Sequence, residues 1–483
     1  MLITTAKYLQ FFRCKRYLGY QMHRDIDMTR SHRDPKVNFE TEKVLSLAFS
    51  LYPDGVAVFG DNTRDRITRS EMALPGRVPL FNAVFGDQDF IADYDILLPS
   101  GEDKWDIVLV KTSPSRKTSH IQEAQFKKWN AEHHGLLIDK CILMHVNSAH
   151  VYDQVLTPED FFITMDITAQ VFAGYPDRVK NALTEIHAIS LQPEWQDLQR
   201  GCRTPKNCKA PHVCWSELGE GDIFKLREGH MLASRYFEQG ARFISEIPFD
   251  DEELSPRQLV QMQSQSTGEA FMDRQEISAL LARLRYPLYF LDFETINPVI
   301  PVYNRSRPYQ HVPFQFSLHV VESEGDEPVH HGYIDDESCD PRREILERLS
   351  SIIRPGGTII CFEETFEKKC LKESREIYGE YAVWYDEIIR DFLDLAVPFK
   401  NFHYYHPAQE GSTSLKKVIS PLTHLSYSEL DIRDGYAANF EFMKVRTGNV
   451  SREERSRILS GLEDYCRTDT IVLYHILESL KKL

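Results

Sequence analysis

The chain has 483 residues, more than one hydrophobic core usually serves, so two or three domains are expected. Its 42% hydrophobic and 27% charged residues are those of an ordinary soluble globular protein, and no apolar run approaches a membrane span, which excludes a membrane-spanning chain. A net charge of −16 excludes a bulk electrostatic footprint for nucleic acid and leaves only a local basic groove for such a partner.

The basic N-terminus has no continuous apolar core followed by a small-residue cleavage site, so no signal peptide is expected. Nine cysteines are odd in number and sparse for this length. Together these point to a reducing compartment, where cysteines sit in cores or bind metal. From Lys7 to Tyr20 the spacing predicts a helix with interleaved aromatic and basic residues and one cysteine, Cys14. By itself Cys14 reads better as a small buried residue than as a ligand.

Between Gly201 and Trp215, Cys202, Cys208 and Cys214 recur every six residues in a loop rich in Pro, Lys and Asn. Such a loop cannot bury three thiols as core, so a ligand role is favoured. Four thiolates can hold zinc or an iron–sulfur cluster, but the close cysteine pairs usual for structural zinc, two to four residues between ligands, are absent. One early cysteine and a late triplet resemble the RecB-like nucleases with an iron–sulfur staple, the AddB-type arrangement. The resemblance implies a restriction-endonuclease fold over residues 1–220 and a [4Fe-4S] cluster on Cys14, Cys202, Cys208 and Cys214. Zn2+ is the alternative, and His212 a possible substitute ligand. It also implies a PD-(D/E)xK site: Val84 to Leu98 looks like its first strand pair, with Asp95 as the first metal ligand, Trp105 to Thr112 looks like the next strand, ending in the lysine, Lys111, and Gln125 and Trp129 on the following helix resemble a Gln-x-x-x-Tyr motif. That family needs an acid two residues before the lysine, and Leu109 stands there. Asp106 points to the opposite face of a regular strand, and only a bulge would re-aim it. This module is therefore expected to be catalytically degenerate, binding nucleic acid through Lys111, Lys117, Lys127 and Lys128.

Residues 221–283 predict a helical connector, with Ser255 and Asp273 as helix caps. Past Pro287, the run to Thr295 predicts a buried strand that ends in Asp292 and Glu294. Residues two apart share a strand face, so the two carboxylates repel unless a cation, Mg2+ or Mn2+ for oxygen ligands, lies between them. A strand ending in solvated acids is an equal reading of that pair alone. In the loop beyond, Tyr303, Arg305, Arg307 and Tyr309 suit stacking on bases and contacts to phosphates, or equally a packed surface loop. Thr358 to Leu371 predicts a strand leading into a helix with Phe366 and Glu367. Gly461 to Leu477 has helical spacing that sets Tyr465 and Asp469 on one face.

An Asp-x-Glu strand, a middle acid, the Ser414–Ile419 helix and a late Tyr-x-x-x-Asp helix resemble the DEDD exonucleases of the tyrosine-bearing subclass, over residues 284–483. The resemblance implies a ribonuclease H-like fold and removal of nucleotides from 3′ ends by two-metal hydrolysis. Asp292, Glu294, Glu367 and Asp469 would hold two Mg2+ or Mn2+ ions, and Tyr465 would orient the attacking water. Glu367 departs from the aspartate usual there by one methylene, and Asp394 competes for its role.

The expected fold is α/β: a RecB-like module with a four-cysteine cluster, a helical connector, and a ribonuclease H-like mixed sheet flanked by helices. This order resembles a bacterial family that fuses the two kinds of module, which implies a cytoplasmic protein. Two function classes follow. One is a metal-dependent 3′→5′ exonuclease; the other is a non-catalytic nucleic-acid-binding adaptor built on two nuclease folds. The expected partner is nucleic acid, DNA ahead of RNA, and not a membrane.

Overall fold

The computed structural model describes residues 1–24, 35–192, 194–335, 340–423, 425–448 and 450–483. It is a mixed α/β structure in two units. One comprises residues 1–215 with 298–309; the other comprises 216–297 with 310–483. No helix among the described residues is long and apolar enough to cross a membrane.

In unit 1 the sheet runs β2 (Val56–Ala57), β3 (Leu80–Gly86), β4 (Phe90–Ser100), β5 (Lys104–Lys111), β6 (Leu137–Val146), β7 (Phe162–Asp166), with β1 (Ile3–Thr4) beside β4. The β5–β6 pair is parallel, and the pairs that flank it, β4–β5 and β6–β7, are antiparallel. The stretch expected to form one N-terminal helix is two: α1 (Thr5–Arg13) and α2 (Lys15–His23). Cys14 breaks them with an extended backbone (φ −166°, ψ 107°), and its sulfur accepts from the Tyr17 amide as a helix cap. Helix α3 (Thr118–His133) packs on β4, β5 and β6, and its Phe126 stacks on Tyr8 of α1.

The helices between residues 216 and 283 cluster with unit 2. Hydrogen bonds fix them there. Strand β8 (Phe271–Met272) pairs with β14 (Tyr404–Tyr405), the Asp273 amide donates to the His403 carbonyl at 2.6 Å, and Lys225 pairs with Glu410 at 2.5 Å. Ser255 and Asp273 cap their helices. Residues 298–309 pack instead with unit 1: the Val299 amide donates to Glu40, and the Tyr309 hydroxyl donates to the Thr112 carbonyl.

The larger sheet of unit 2 runs β11 (Val329–Ile334), β10 (Val312–Val321), β9 (Leu288–Ile296), β12 (Thr358–Cys361), β13 (Phe392–Asp394). Strands β9, β12 and β13 are parallel, and β10 runs against both of its neighbours. Every residue of β10, and every residue of β9 except Asp292, is buried, as in a sheet covered on both faces. Tyr289, Leu291 and Phe293 face one core with α4 (Pro341–Ile352) and α5 (Thr365–Ile377). The alternate residues face α6 (Arg452–Lys481), where Phe290 meets Tyr474 edge-on. Ser451 caps α6, and Glu453 and Glu454 favour the positive end of its dipole.

A buried polar chain sets the axial position of α6 on the sheet. Thr470 Oγ1 lies 2.7 Å from Ser317 Oγ and 2.8 Å from His319 Nδ1, and Ser317 Oγ lies 3.0 Å from His330 Nε2. Thr470→Val should strand the buried His319 Nδ1, leave Ser317 with His330 alone, and cost about 1–3 kcal/mol of stability in denaturant unfolding. Burial above all, then His330, Arg467, His331 and His475, lowers the His319 imidazole from the ordinary value to about 3. The unfolded chain therefore takes up that proton first as pH falls below about 6.5. His319 contributes fully above that pH, and its contribution is lost toward pH 3. Unfolding free energy measured from pH 7 to 4 should fall less steeply in His319→Asn than in the parent.

Candidate metal centre

Asp292 and Glu294 stand near the C-terminal end of β9, on the face covered by α6. Their cross-strand neighbours are Ser317 and Gln315, and the β10 register shifts by a bulge between Pro313 and Gln315. Bulges next to functional sites re-aim side chains. On α6, Tyr465, Cys466, Asp469 and Thr470 are all buried on the face turned to the sheet. Ligand atoms of Asp292, Glu294 and Cys466 all lie within 4.8 Å of one another, and Cys466 Sγ is 3.7 Å from Asp292 Oδ2. The Tyr427 hydroxyl donates to Asp469 Oδ1 at 2.5 Å, and Tyr465 hydrogen-bonds the same carboxylate.

Strand β12 ends at Cys361, which sits beside β9 just short of Asp292, and the chain there turns into α5. Glu367 lies in the first turn of α5 and is 3% exposed; its Oε2 is buried and has no hydrogen-bond partner. Asp394, the competing acid, is engaged otherwise. Its Oδ1 accepts from the amides of Glu363 at 2.8 Å and Ala396 at 2.9 Å, and its Oδ2 lies 3.6 Å from Lys400 Nζ. It shapes the turn that presents Glu367.

The electrostatics follow from this crowding. Burial first, then the charges of Asp469, Glu294 and Glu367, push the Asp292 carboxyl well above the usual carboxylate range. Burial and Asp469 do the same to Glu294, against the pull of Lys416. Burial lifts Glu367 to about 8 and Asp469 to about 6, the latter opposed by Tyr427, Lys416 and Tyr465. An acid cluster of this kind holds protons or takes cations. The donors are hard carboxylate oxygens, of the kind Mg2+ or Mn2+ take, with one adjacent soft thiol that neither ion favours. The orphaned oxygen of Glu367 fits the same assignment. Exposed Lys416 acts on Glu294 and Asp469 from nearby, with Nζ 5.3 Å from the Tyr427 ring centre and 5.6 Å from that of Tyr465.

In unit 1 the four cysteines at positions 14, 202, 208 and 214 converge. The Gly201 amide donates to Cys14 Sγ at 3.2 Å, tying the late loop to the first helices. Burial first, then Cys208, raises the Cys202 thiol; the same causes push Cys214 up to about 12, and Cys14 adds to both. Asp95 ends up beside Lys111, at 3.5 Å. Leu109 is fully buried in the core, and Asp106 faces away, accepting from the Lys140 amide. Gln125 donates to the Val171 carbonyl at 2.9 Å, and Trp129 packs edge-on to Phe90. Lys127 and Lys128 are buried and ion-paired, which removes them from the nucleic-acid surface expected of them. Arg305 and Arg307 are exposed, and Tyr309 packs against a unit 1 core.

Sequence reasoning missed Tyr427, Cys466 and Glu123. Cys466 was legible as the neighbour of Tyr465 on the apolar face of its helix. Tyr427 comes from an irregular stretch with no periodicity to place it.

Residues 289–414 match a family described as a domain of unknown function (DUF2779). The uncharacterized protein UU173 of Ureaplasma parvum serovar 3 is 24% identical over 240 residues, 42% of this chain and 32% of its own length. The uncharacterized protein MG366 of Mycoplasma genitalium is 23% identical over 219 residues, 42% of this chain and 33% of its own length. The chain thus spans about a third of the length of these curated relatives. The crystal structure of SSO0001 aligns with 45% of this chain and 87% of that one, at 15% identity and a TM-score of 0.19, too low to bear on the fold.

A Cβ on Gly201 would lie 1.8 Å from the Arg13 carbonyl oxygen, a backbone atom that cannot swing aside. Gly201→Ala should therefore force the cysteine seam apart and lower stability by at least about 1–3 kcal/mol. Thermal unfolding beside a surface control such as Gly379→Ala, where a Cβ meets nothing within 4 Å, measures it.

Proposed function

We propose that the protein is a metal-dependent nuclease whose unit 2 hydrolyses phosphodiester bonds from 3′ ends, on a ribonuclease H-like arrangement. The observation that carries this reading is the metal-sized grouping of Asp292 and Glu294 in a buried space, with Asp469 and Glu367 near enough to act on Asp292 and one Glu367 oxygen left without a partner. The acids stand at the C-terminal edge of parallel strands, the edge at which open α/β sheets place their ligands. Two Mg2+ or Mn2+ ions held by these four acids would supply an activated water and stabilise the leaving oxygen.

The chain's own groups divide the remaining work. Asp292 feels the other three acids and would be the carboxylate shared in holding the ions. Glu367 reaches the centre from the helix behind the sheet. Tyr427 and Tyr465 hold Asp469 from two sides, which leaves the Tyr465 hydroxyl at the edge of the centre to orient a water. Lys416, exposed beside both rings, offers a cation to the scissile phosphate. The neighbouring cavity of about 440 Å³ carries Glu429, Asp431, Glu453 and Asp464 against one arginine, Arg457, so its excess of negative charge opposes a phosphate chain and favours the Lys416 side for the substrate.

In unit 1, Cys14, Cys202, Cys208 and Cys214 are proposed to hold a [4Fe-4S] cluster, with Zn2+ as the alternative, stapling the first helices to the late loop. Supporting this is the mutual influence of thiols nearly two hundred residues apart in sequence. Nucleic acid, DNA ahead of RNA, is the proposed substrate.

End-labelled single- and double-stranded DNA and RNA test the main reading. Asp292→Asn should reduce hydrolysis by orders of magnitude while nucleic-acid binding persists. Tyr465→Phe should lose less, since it removes a hydrogen bond and no metal ligand. Undiminished cleavage by Asp292→Asn would remove unit 2 from the chemistry. Anaerobically purified protein should be brown, with broad absorbance near about 400 nm, and Cys208→Ser should bleach it. Stoichiometric zinc without iron would select the alternative.

A further inference from the structure

Cys466 stands inside the metal centre of unit 2, and the proposed hydrolysis gives it no work. Its sulfur lies 3.7 Å from Asp292 Oδ2 and 3.9 Å from the Asp292 carbonyl oxygen. One ligand atom each of Asp292, Glu294 and Cys466 falls within 4.8 Å of the other two. The side chain is fully buried on the sheet-facing side of α6, three residues before Asp469. Cys361 and Cys370, also buried in unit 2, pack instead in the apolar core with Tyr289, Leu291 and Phe293.

The surroundings of Cys466 are those of a ligand. A thiol is a weak hydrogen-bond donor, so contacts of this length do little to hold two repelling carboxylates. The spacing is that of a coordination polyhedron. At a tetrahedral zinc, bonds of about 2.3 Å to sulfur and about 2.1 Å to oxygen set the two donors about 3.6 Å apart. The 3.7 Å between Cys466 Sγ and Asp292 Oδ2 matches that edge. In a magnesium octahedron, bonds of about 2.0–2.1 Å bring neighbouring oxygens to about 2.9 Å, and a soft sulfur has no place among them.

Three protein donors with a fourth position open make a zinc site that exchanges with solvent. Glu367 Oε2 is buried without a hydrogen-bond partner, and the charge of Glu367 reaches Asp292, so this oxygen is a donor for the fourth position. Asp292 is the residue of β9 that is not fully buried, and an ion enters past it. As Zn2+ binds, the Cys466 thiol releases its proton to solvent and the Zn–S bond takes its place. With both carboxylates ionised, the trio goes from two negative charges to a net of one. Asp469 and Glu367, which act on Asp292 from outside the trio, then meet less repulsion, and Lys416 opposes the remainder.

We propose that Asp292, Glu294 and Cys466 form a zinc site that takes Zn2+ ahead of Mg2+ or Mn2+ and, while filled, keeps those ions off Asp292 and Glu294. Zn2+ stands above Mn2+ in general affinity, and a thiolate ligand widens the gap. The site itself follows from the spacing of three side chains; that filling it stops hydrolysis rests on the reading of unit 2.

The test uses the full chain, dialysed against metal-free buffer under anaerobic conditions, with Co2+ as the spectroscopic probe for zinc. Co2+ should fill one saturable site per chain and give a thiolate-to-cobalt charge-transfer band that Cys466→Ser lacks. Any Co2+ held by the cysteines of unit 1 appears in both proteins and cancels in the difference. Equimolar Zn2+ should erase the difference band, and a large excess of Mg2+ should leave it in place. In Mn2+ paramagnetic resonance, the parent should release its Mn2+ at a Zn2+ concentration at least about tenfold lower than Cys466→Ser does. Cys466→Ala is scored in the same ways should the serine variant not fold. Identical Co2+ spectra from the parent and a folded Cys466 variant overturn the proposal. So does a band that survives Asp292→Ala, since the sulfur would then bind without the carboxylate, or equal displacement of Mn2+ from parent and variant. A protein that shows the band but hydrolyses no end-labelled nucleic acid keeps the zinc site and loses the nuclease reading. One that hydrolyses without the band does the reverse.

Discussion

Carboxylates confined to one buried space repel, and the repulsion at the end of β9 is the constraint to which the rest of unit 2 answers. Asp292 and Glu294 cannot turn away from each other, because a strand gives residues two apart the same face. The buried chain of Ser317, Thr470, His319 and His330 then fixes the helix that brings Asp469 to that face. Asp394 closes the turn that delivers Glu367 from the other side. The fold thus commits several buried polar contacts to holding like charges together. Lys416, whose charge opposes the shift of Glu294, is exposed and offsets only part of that cost.

Unit 1 solves the same electrostatic problem in the opposite way. Its buried acids, Asp95 and Glu123, each meet two lysine ammoniums. Acids that each meet two ammoniums have little need of an external cation, whereas acids without such partners do. This contrast is the physical ground for assigning the proposed hydrolysis to unit 2 and a non-hydrolytic role to unit 1.

The cysteine seam belongs to a third kind of constraint, closure of the chain. Gly201 is set against the backbone of Arg13 and Cys14 so closely that no side chain fits. Cys14 supplies the break between α1 and α2 that turns its sulfur toward this contact. Loop closure over so long a stretch is entropically costly, and a shared ligand group for the four thiols would offset it.

Much of this architecture was legible from residue order alone. Local periodicity identified the strand before Asp292, the strand-to-helix step at Glu367, the long helix bearing Tyr465 and Asp469, and the caps at Ser255 and Asp273, because each depends on neighbours within a few positions. The cysteine spacing singled out Cys202, Cys208 and Cys214 for the same reason, and the structure sets them near Cys14. What sequence could not fix were relations between distant segments. It predicted one helix through Cys14, since nothing local reveals that Gly201 docks there. It left Glu367 and Asp394 in competition, and the hydrogen bonds of the turn at residue 363 decide which carboxylate stays free. It placed Lys127 on a nucleic-acid surface, where the packing of α3 against β4 and β5 turns the side chain inward. The sequence by itself determined which residue types occur at which local spacing; only the tertiary structure decided which charges meet, because burial and electrostatics depend on separation in space.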